Sequence, residues 1–333
     1  MLSISSWQCE DNRIEADLFH LPLSQDTVSI DLISFSSYRI APNLGSNDRL
    51  YLGTKNSLDV PLSFIGIKDH YYWSNSLDST VTVDSLHFIL YSSDSLLTQS
   101  STPNLFFNPD SQFNESKSTY LDFVGYSIAD WESIGQPNVI INTDTSGIFT
   151  YTELVWDIMS IDSMLTDTVD SNLIRNFAIQ LINSDTNFIE LFSREATSGD
   201  GPMDPKVKMY YRQNRVDDDS TVHDTSNVTI YSFGDISIID PSYIDTESIN
   251  LGLSNGIGLR SLVSIPFDSA SIPEGSLIRK AILSLPIDTS SSSDGYNIIV
   301  DPIDELVDTA DVVFETDPYI GMGYPYQFRT SSN

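Results

Sequence analysis

Positive charge is scarce in this chain: 16 Lys and Arg stand against 47 Asp and Glu, for a formal net charge of -31. Contacts to phosphate depend on Lys and Arg, so this balance excludes nucleic-acid binding and charge-driven attachment to anionic membranes. It favours solubility, high salt or divalent cations as counterions. Cysteine is almost absent too. The single one, Cys9, permits no intrachain disulfide. That does not exclude secretion, because a chain this long can bury real cores without staples. No run approaches the roughly 20 apolar residues of a membrane span. Catalytic signatures are also missing: there is no His-Glu-x-x-His, no Gly-x-Ser-x-Gly and no P-loop. His20, His70, His87 and His223 are scattered without ligand spacing. Among 47 acidic residues, any pair nominated for glycoside hydrolysis carries almost no information. The chain reads as a protein that binds or builds, not as an enzyme.

What is present is ordinary globular material. Hydrophobic residues make up 40% of 333, and the length favours two domains. Most apolar residues alternate with Ser, Thr, Asp and Asn, the period-2 pattern of half-buried strands. Val81 to Tyr91 and Phe177 to Ile182 are examples, and Asn43-Leu44-Gly45, Asp200-Gly201-Pro202 and Asp294-Gly295 punctuate such runs as turns. Short strands at this spacing predict an all-β, antiparallel, jelly-roll-like β-sandwich. The best helix candidate is Ile158 to Leu173.

An internal repeat gives two tandem units. Ser34 to Ile40, Arg49 to Gly53, Val60 to Phe64 and Val83 to Tyr91 correspond in order and spacing to Asp235 to Ile239, Ser248 to Gly252, Leu262 to Phe267 and Ile278 to Leu285. The expected organisation is an N-terminal tether at 1–27, a first sandwich at 28–213, a polar linker at 214–227 and a second sandwich, incomplete in length, at 228–333.

The segment Leu259 to Asp268, followed by Ile272-Pro273-Glu274-Gly275 and the strand to Leu285, resembles the DNRLRE-type domain of bacterial extracellular proteins. That family is a jelly-roll related in shape to carbohydrate-binding modules. In the first unit Trp156-Asp157-Ile158, Asn176 to Ile179, and Ser193-Arg194-Glu195-Ala196 with Pro205 to Tyr211 resemble its other elements. The Ser-Arg-Glu-Ala stretch is the most specific of these. The first unit holds Ser79-Thr80-Val81-Thr82 where the family opens a strand with Pro-x-Gly, and the second lacks the Trp-Asp and Ser-Arg-Glu-Ala elements. Stability roles are expected here: Trp156 as core, Asp157 as cap of the following turn, and Arg194 beside Glu195 as a charge-assisted tie. Near the start, Cys9 with Leu2 to Gln8 before it and Glu10-Asp11-Asn12 after it resembles the lipidated cysteine of a bacterial lipoprotein. Gln8 replaces the usual small residue and no basic segment precedes it; the alternative is a lone cysteine at a frayed terminus.

Two binding chemistries stand out. Asn142 to Glu153 places oxygen donors, including Asn142, Asp144, Ser146 and Glu153, at calcium-loop spacing with Gly147 at the sixth position. Against this, Val139-Ile140-Ile141 before it reads as strand where an EF-hand has helix, and a hairpin turn through Gly147 is the alternative. Calcium is the one expected cofactor, in a structural role. For glycans, the platform candidates are Tyr71, Tyr72 and Trp73, then Trp131, with burial in the core as the competing expectation. The expected function is a non-catalytic structural or adhesive module, extracellular or on the outer cell surface. Its partners are further copies of itself, as an oligomer or filament, or an extracellular glycan, and membranes are met only through a lipid on Cys9. The alternative is a carbohydrate-active enzyme or an accessory module of one.

Overall fold

The computed structural model describes residues 27–30, 34–55, 58–68, 80–94, 97, 101–108, 113–143, 149–161, 174–182, 187–197, 201–217, 220–240, 252–254, 256–265, 282–283, 298–300, 303, 313–319 and 326–328. Nearly everything described is strand, with short 3-10 turns at Tyr120–Phe123 and Arg194–Thr197. The class is all-β with antiparallel sheets, as the alternation predicts. The chain divides into two units: residues 35–262 with 293–333, and residues 1–34 with 263–292. Most of the latter and the expected helix beyond Ile161 lie outside the described residues, as does the second repeat after 240 apart from Gly252, the strand Leu259–Ser264 with residue 265, and residues 282–283.

In the larger unit the strands are β1 (Ser34–Ile40), β2 (Arg49–Lys55), β3 (Leu58–Lys68), β4 (Val81–Ser92), β5 (Pro103–Asn108), β6 (Glu132–Gly135), β7 (Asn138–Thr143), β8 (Thr150–Asp157), β9 (Ile174–Leu181), β10 (Phe188–Phe192), β11 (Lys206–Asp217) and β12 (Ser220–Asp240). Of these, β3 to β9, β11 and β12 hydrogen-bond in the order β6-β5-β9-β3-β12-β11-β4-β8-β7, and β2 joins β3 to β10, while β1 lies in a separate sheet between Leu259–Ser264 and Val313–Phe314, parallel to the latter. One strand belongs to both layers. The first part of β12 pairs with β11 from Asp217↔Ser220 to Lys206↔Tyr231. Its remainder pairs with β3 from Ser232↔Ile67 to Asp240↔Asp59, with a register shift between Ser232 and Gly234.

Alternation decides what faces inward. Leu86, Phe88 and Leu90 of β4 and Leu154 and Trp156 of β8 meet Ile65 and Ile67 of β3, Phe177 and Ile179 of β9, and Leu105 and Phe107 of β5 in the main core. Phe88 stacks on Phe177 across the layers at 4.5 Å between ring centroids. Trp156 is buried as expected, with its indole N–H donating to the Gly135 carbonyl at 2.9 Å, and Asp157 caps the next turn by accepting from Met159 N at 3.0 Å. Gly53 sits at φ 93, and a Cβ there would lie 1.8 Å from the Asn187 carbonyl oxygen, so only glycine lets β2 run this close to the chain before β10.

The outer face of β3, β9 and the second part of β12 carries Leu62, Phe64, Ala178, Ile236 and Ile238. The segment between β5 and β6 covers it, laying Phe113, Tyr120, Phe123, Ile128 and Trp131 on that face. With both faces buried, β3 reads as a nearly continuous apolar run.

The expected linker at 214–227 is strand instead. Its residues form the far end of the β11–β12 hairpin, from Asn214↔His223 to Tyr210↔Asn227, and residues 228–240 complete the first sandwich. Residues 223–227 are exposed, so the hairpin end has solvent on both faces and no apolar alternation to betray it. Removing the central ring should be costly. Phe177→Ala is expected to destabilise the larger unit by about 3–5 kcal/mol, read from urea denaturation by tryptophan fluorescence; a loss under about 1 kcal/mol would contradict this core.

Candidate functional site

The outer face of β12, β11, β4, β8 and β7 has a different composition from the covered face. Side chains two apart on each strand point the same way, and here they are His87, Ile89 and Tyr91 on β4, Glu153 and Val155 on β8, Lys206, Lys208 and Tyr210 on β11, Thr229 and Tyr231 on β12, and Ile140 on β7. They line an open groove of about 340 Å³. Phe149 stacks on Tyr151 at 6.1 Å, and Tyr151 meets Tyr91 edge-on at 5.9 Å, which extends the aromatic strip along β8.

Charges in the groove are held by specific contacts. Lys206 donates to the Pro202 carbonyl, and its ammonium lies 4.6 Å from the Tyr91 ring centroid and 5.7 Å from that of Tyr231. Burial pushes this amine below its ordinary pKa. Lys208 lies 5.0 Å from the Tyr210 ring. Glu153 accepts from the Tyr91 hydroxyl at 3.4 Å and from Asn142 Nδ2 at 2.9 Å. Burial, then the Glu153 charge, raises the Tyr91 pKa and keeps that phenol protonated.

A second polar cluster lies where β12 changes layers. Asp235, wholly buried, accepts from Arg194 N at 2.8 Å, and its own N–H donates to Glu115 Oε1 at 2.9 Å. Carboxylate oxygens of Glu115, Glu195 and Asp235 lie within 4.8 Å of one another. The Ser-Arg-Glu-Ala stretch builds this corner. Ser193 Oγ donates to the Asn47 carbonyl at 2.6 Å and accepts from Glu195 N at 3.2 Å, which closes the turn that presents Glu195. Arg194 reaches Glu115 at 3.9 Å, so the pairing expected with Glu195 is made to a segment remote in sequence. Desolvation is the main cause that raises the Asp235 carboxyl well above the ordinary value and raises Glu195 as well.

The residues singled out from sequence fare unequally. Asn142 and Glu153 lie on the paired strands β7 and β8 and bond to each other, while Asp144 and Ser146 between them fall outside the described residues. Cys9, Tyr71, Tyr72 and Trp73 also fall outside them. Trp131 is described, and the platform role expected for it is corrected: it is 7% exposed, with its ring 5.9 Å from Phe64 in the covered face. Tyr151, Tyr210 and Tyr231 were not singled out, although their position on alternating strands carried the signal. No protein family, curated protein or solved structure matches the chain.

The Asp235 environment fixes a sign. A carboxyl whose folded pKa is raised adds stability that is full below about 3.8, its ordinary value, and is lost as pH climbs through the raised value. In chelator, the urea midpoint of the wild type should therefore fall relative to Asp235→Asn between pH 4 and 8. A difference that stays flat over that range would show that Asp235 does not titrate there.

Proposed function

We propose that the protein is a non-catalytic β-sandwich module of the cell exterior whose tyrosine-lined sheet face binds a glycan. The observation that carries this reading is the contrast between the two outer faces. One is covered by the chain's own segment at 113–131, whereas the other, packed under Phe192 at its Ile89 and Tyr91 end, carries an open groove with half-buried Tyr210, Tyr231 and Lys208. Sugar rings present apolar C–H faces and a polar rim. Tyr210 and Tyr231 in the groove, with Tyr151 beside it against Tyr91, supply ring faces and hydroxyls, and Lys208, Thr229 and His87 supply groups for the rim. The resemblance to a family shaped like carbohydrate-binding modules supports the same class, and a lipid on Cys9 would hold the module at an outer surface. Assembly with further copies of itself remains compatible with an adhesive role.

Binding is favoured over hydrolysis by the composition of the groove. Glycoside hydrolysis in most families uses two carboxyl groups across the scissile bond. Glu153 is the single carboxylate among the described lining residues, and both its oxygens already accept hydrogen bonds. The test is a glycan array followed by calorimetry on the best ligand. The wild type should retain a polysaccharide, and Tyr151→Ala, Tyr210→Ala and Tyr231→Ala should each weaken it by roughly ten-fold or more without changing the melting temperature. Retention of no glycan, or affinity unchanged in all three variants, would remove this reading.

A further inference from the structure

Three segments far apart in sequence bring carboxylates to the β12 corner: Glu115 from the segment over the outer sheet face, Glu195 from the turn after β10, and Asp235 from β12 itself. An acidic cluster by itself says little. Here the hydrogen-bond inventory adds a separate fact. Asp235 is 0% exposed and its Oδ1 has no hydrogen-bond donor. Glu195 Oε2 is likewise buried without one. Asp235 Oδ2 accepts from Arg194 N, Glu115 Oε1 accepts from Asp235 N, and Glu115 Oε2 faces Arg194 at 3.9 Å, while Arg194 Nε is buried without an acceptor. Buried carboxylate oxygens without donors are costly and call for a proton or a cation.

Charge and spacing favour the cation. Three carboxylates against the Arg194 guanidinium leave two negative charges, the complement of one divalent ion. Donors that are all oxygen suit calcium, magnesium or manganese. Ligands on opposite sides of calcium, at about 2.3–2.6 Å each, stand roughly 4.6–5.2 Å apart, whereas the magnesium shell at about 2.1 Å is tighter, roughly 4.2 Å across. Carboxylate oxygens that all lie within 4.8 Å of one another can be reached by one ion, and the calcium shell accommodates that whole range. Gly234 keeps the corner open, since a Cβ there would lie 2.9 Å from Glu115 Oε1.

We propose that Glu115, Glu195 and Asp235 form a structural calcium site that pins these three segments together. This site is separate from the 142–153 loop and does not depend on the glycan reading. The experiment uses the full chain, stripped with EDTA and titrated with calcium chloride by calorimetry, with thermal melts alongside. Calcium at about 100 times its dissociation constant should raise the melting temperature by about 5–10 °C. Glu195→Gln and Asp235→Asn should abolish that rise and the binding heat, while Glu153→Gln keeps both. In EDTA at pH 8, Asp235→Asn should be at least as stable as the wild type, with the order reversed in calcium. Glu195, at a partly exposed position, decides the matter if Asp235→Asn does not fold. An unchanged wild-type melt and no heat would mean that a shared proton among Asp235, Glu195 and Glu115, beside Arg194, holds the corner, and would overturn the proposal. Calcium binding lost in Glu153→Gln but kept in Glu195→Gln would overturn it equally.

Discussion

β12 ties the two layers together because one strand of 21 residues supplies hydrogen bonds to both. Strands twist, and one this long cannot keep a single flat sheet company from end to end. It leaves β11 at Tyr231, shifts register by Gly234 and continues against β3. A change of layer takes backbone and side chains through the interior, where polar groups must find partners. The corner accordingly gathers Asp235, Ser237 and the Ser193 turn. Ser237 Oγ accepts from Tyr51 N at 2.8 Å and meets Ser63 Oγ at 2.9 Å, so β2, β3 and β12 are also joined by side chains.

Around that corner the two outer faces diverge. The covered face recruits the segment between β5 and β6, which is anchored by Asn43 Nδ2 donating to the carbonyls of Glu115 at 2.9 Å and Ser118 at 2.7 Å. The same segment therefore closes an apolar face and delivers a carboxylate to the corner. The other face is covered only in part among the described residues, where Phe192, Ala196 and Met203 pack on Ile89 and Tyr91. Tyr91 is buried there with its hydroxyl on Glu153, whereas Tyr151, Tyr210 and Tyr231 are half-buried, a position that suits amphipathic side chains. The turn at 201–205 lies between the two regions: Asp204 accepts from Gly201 N at 2.7 Å, and the Pro202 carbonyl holds Lys206.

The large negative charge acts differently in these places. On the surface, acidic side chains are solvated and screened, and isolated pairs there contribute little. Among the described residues Arg212 with Asp84 is the shortest exposed pair, at 2.7 Å, and it joins β11 to β4. In the corner, by contrast, burial makes each carboxylate depend on its few neighbours. Composition alone, with 47 acids, conceals this distinction between many ordinary carboxylates and three that matter.

Local pattern was enough for the class and for many strands. Alternation placed β4 and most of β9, and Trp156 and Asp157 took the core and cap roles their residue types suggest, because side-chain period and turn chemistry are properties of neighbouring residues. What lies across from a strand is not such a property. The end of the β11–β12 hairpin is polar on both faces and so reads as linker, and Trp131 is covered only because a segment folds back over β3 and β9. The tyrosine groove draws on β4, β7, β8, β11 and β12, and the carboxylate corner joins residues 120 and 41 positions apart in its two backbone hydrogen bonds. The sequence by itself determined an acidic, antiparallel all-β chain with its turns and principal core rings. Tertiary structure alone decided where a groove was left on the outer face and which carboxylates were buried together, because burial is set by contacts between segments that no local pattern encodes.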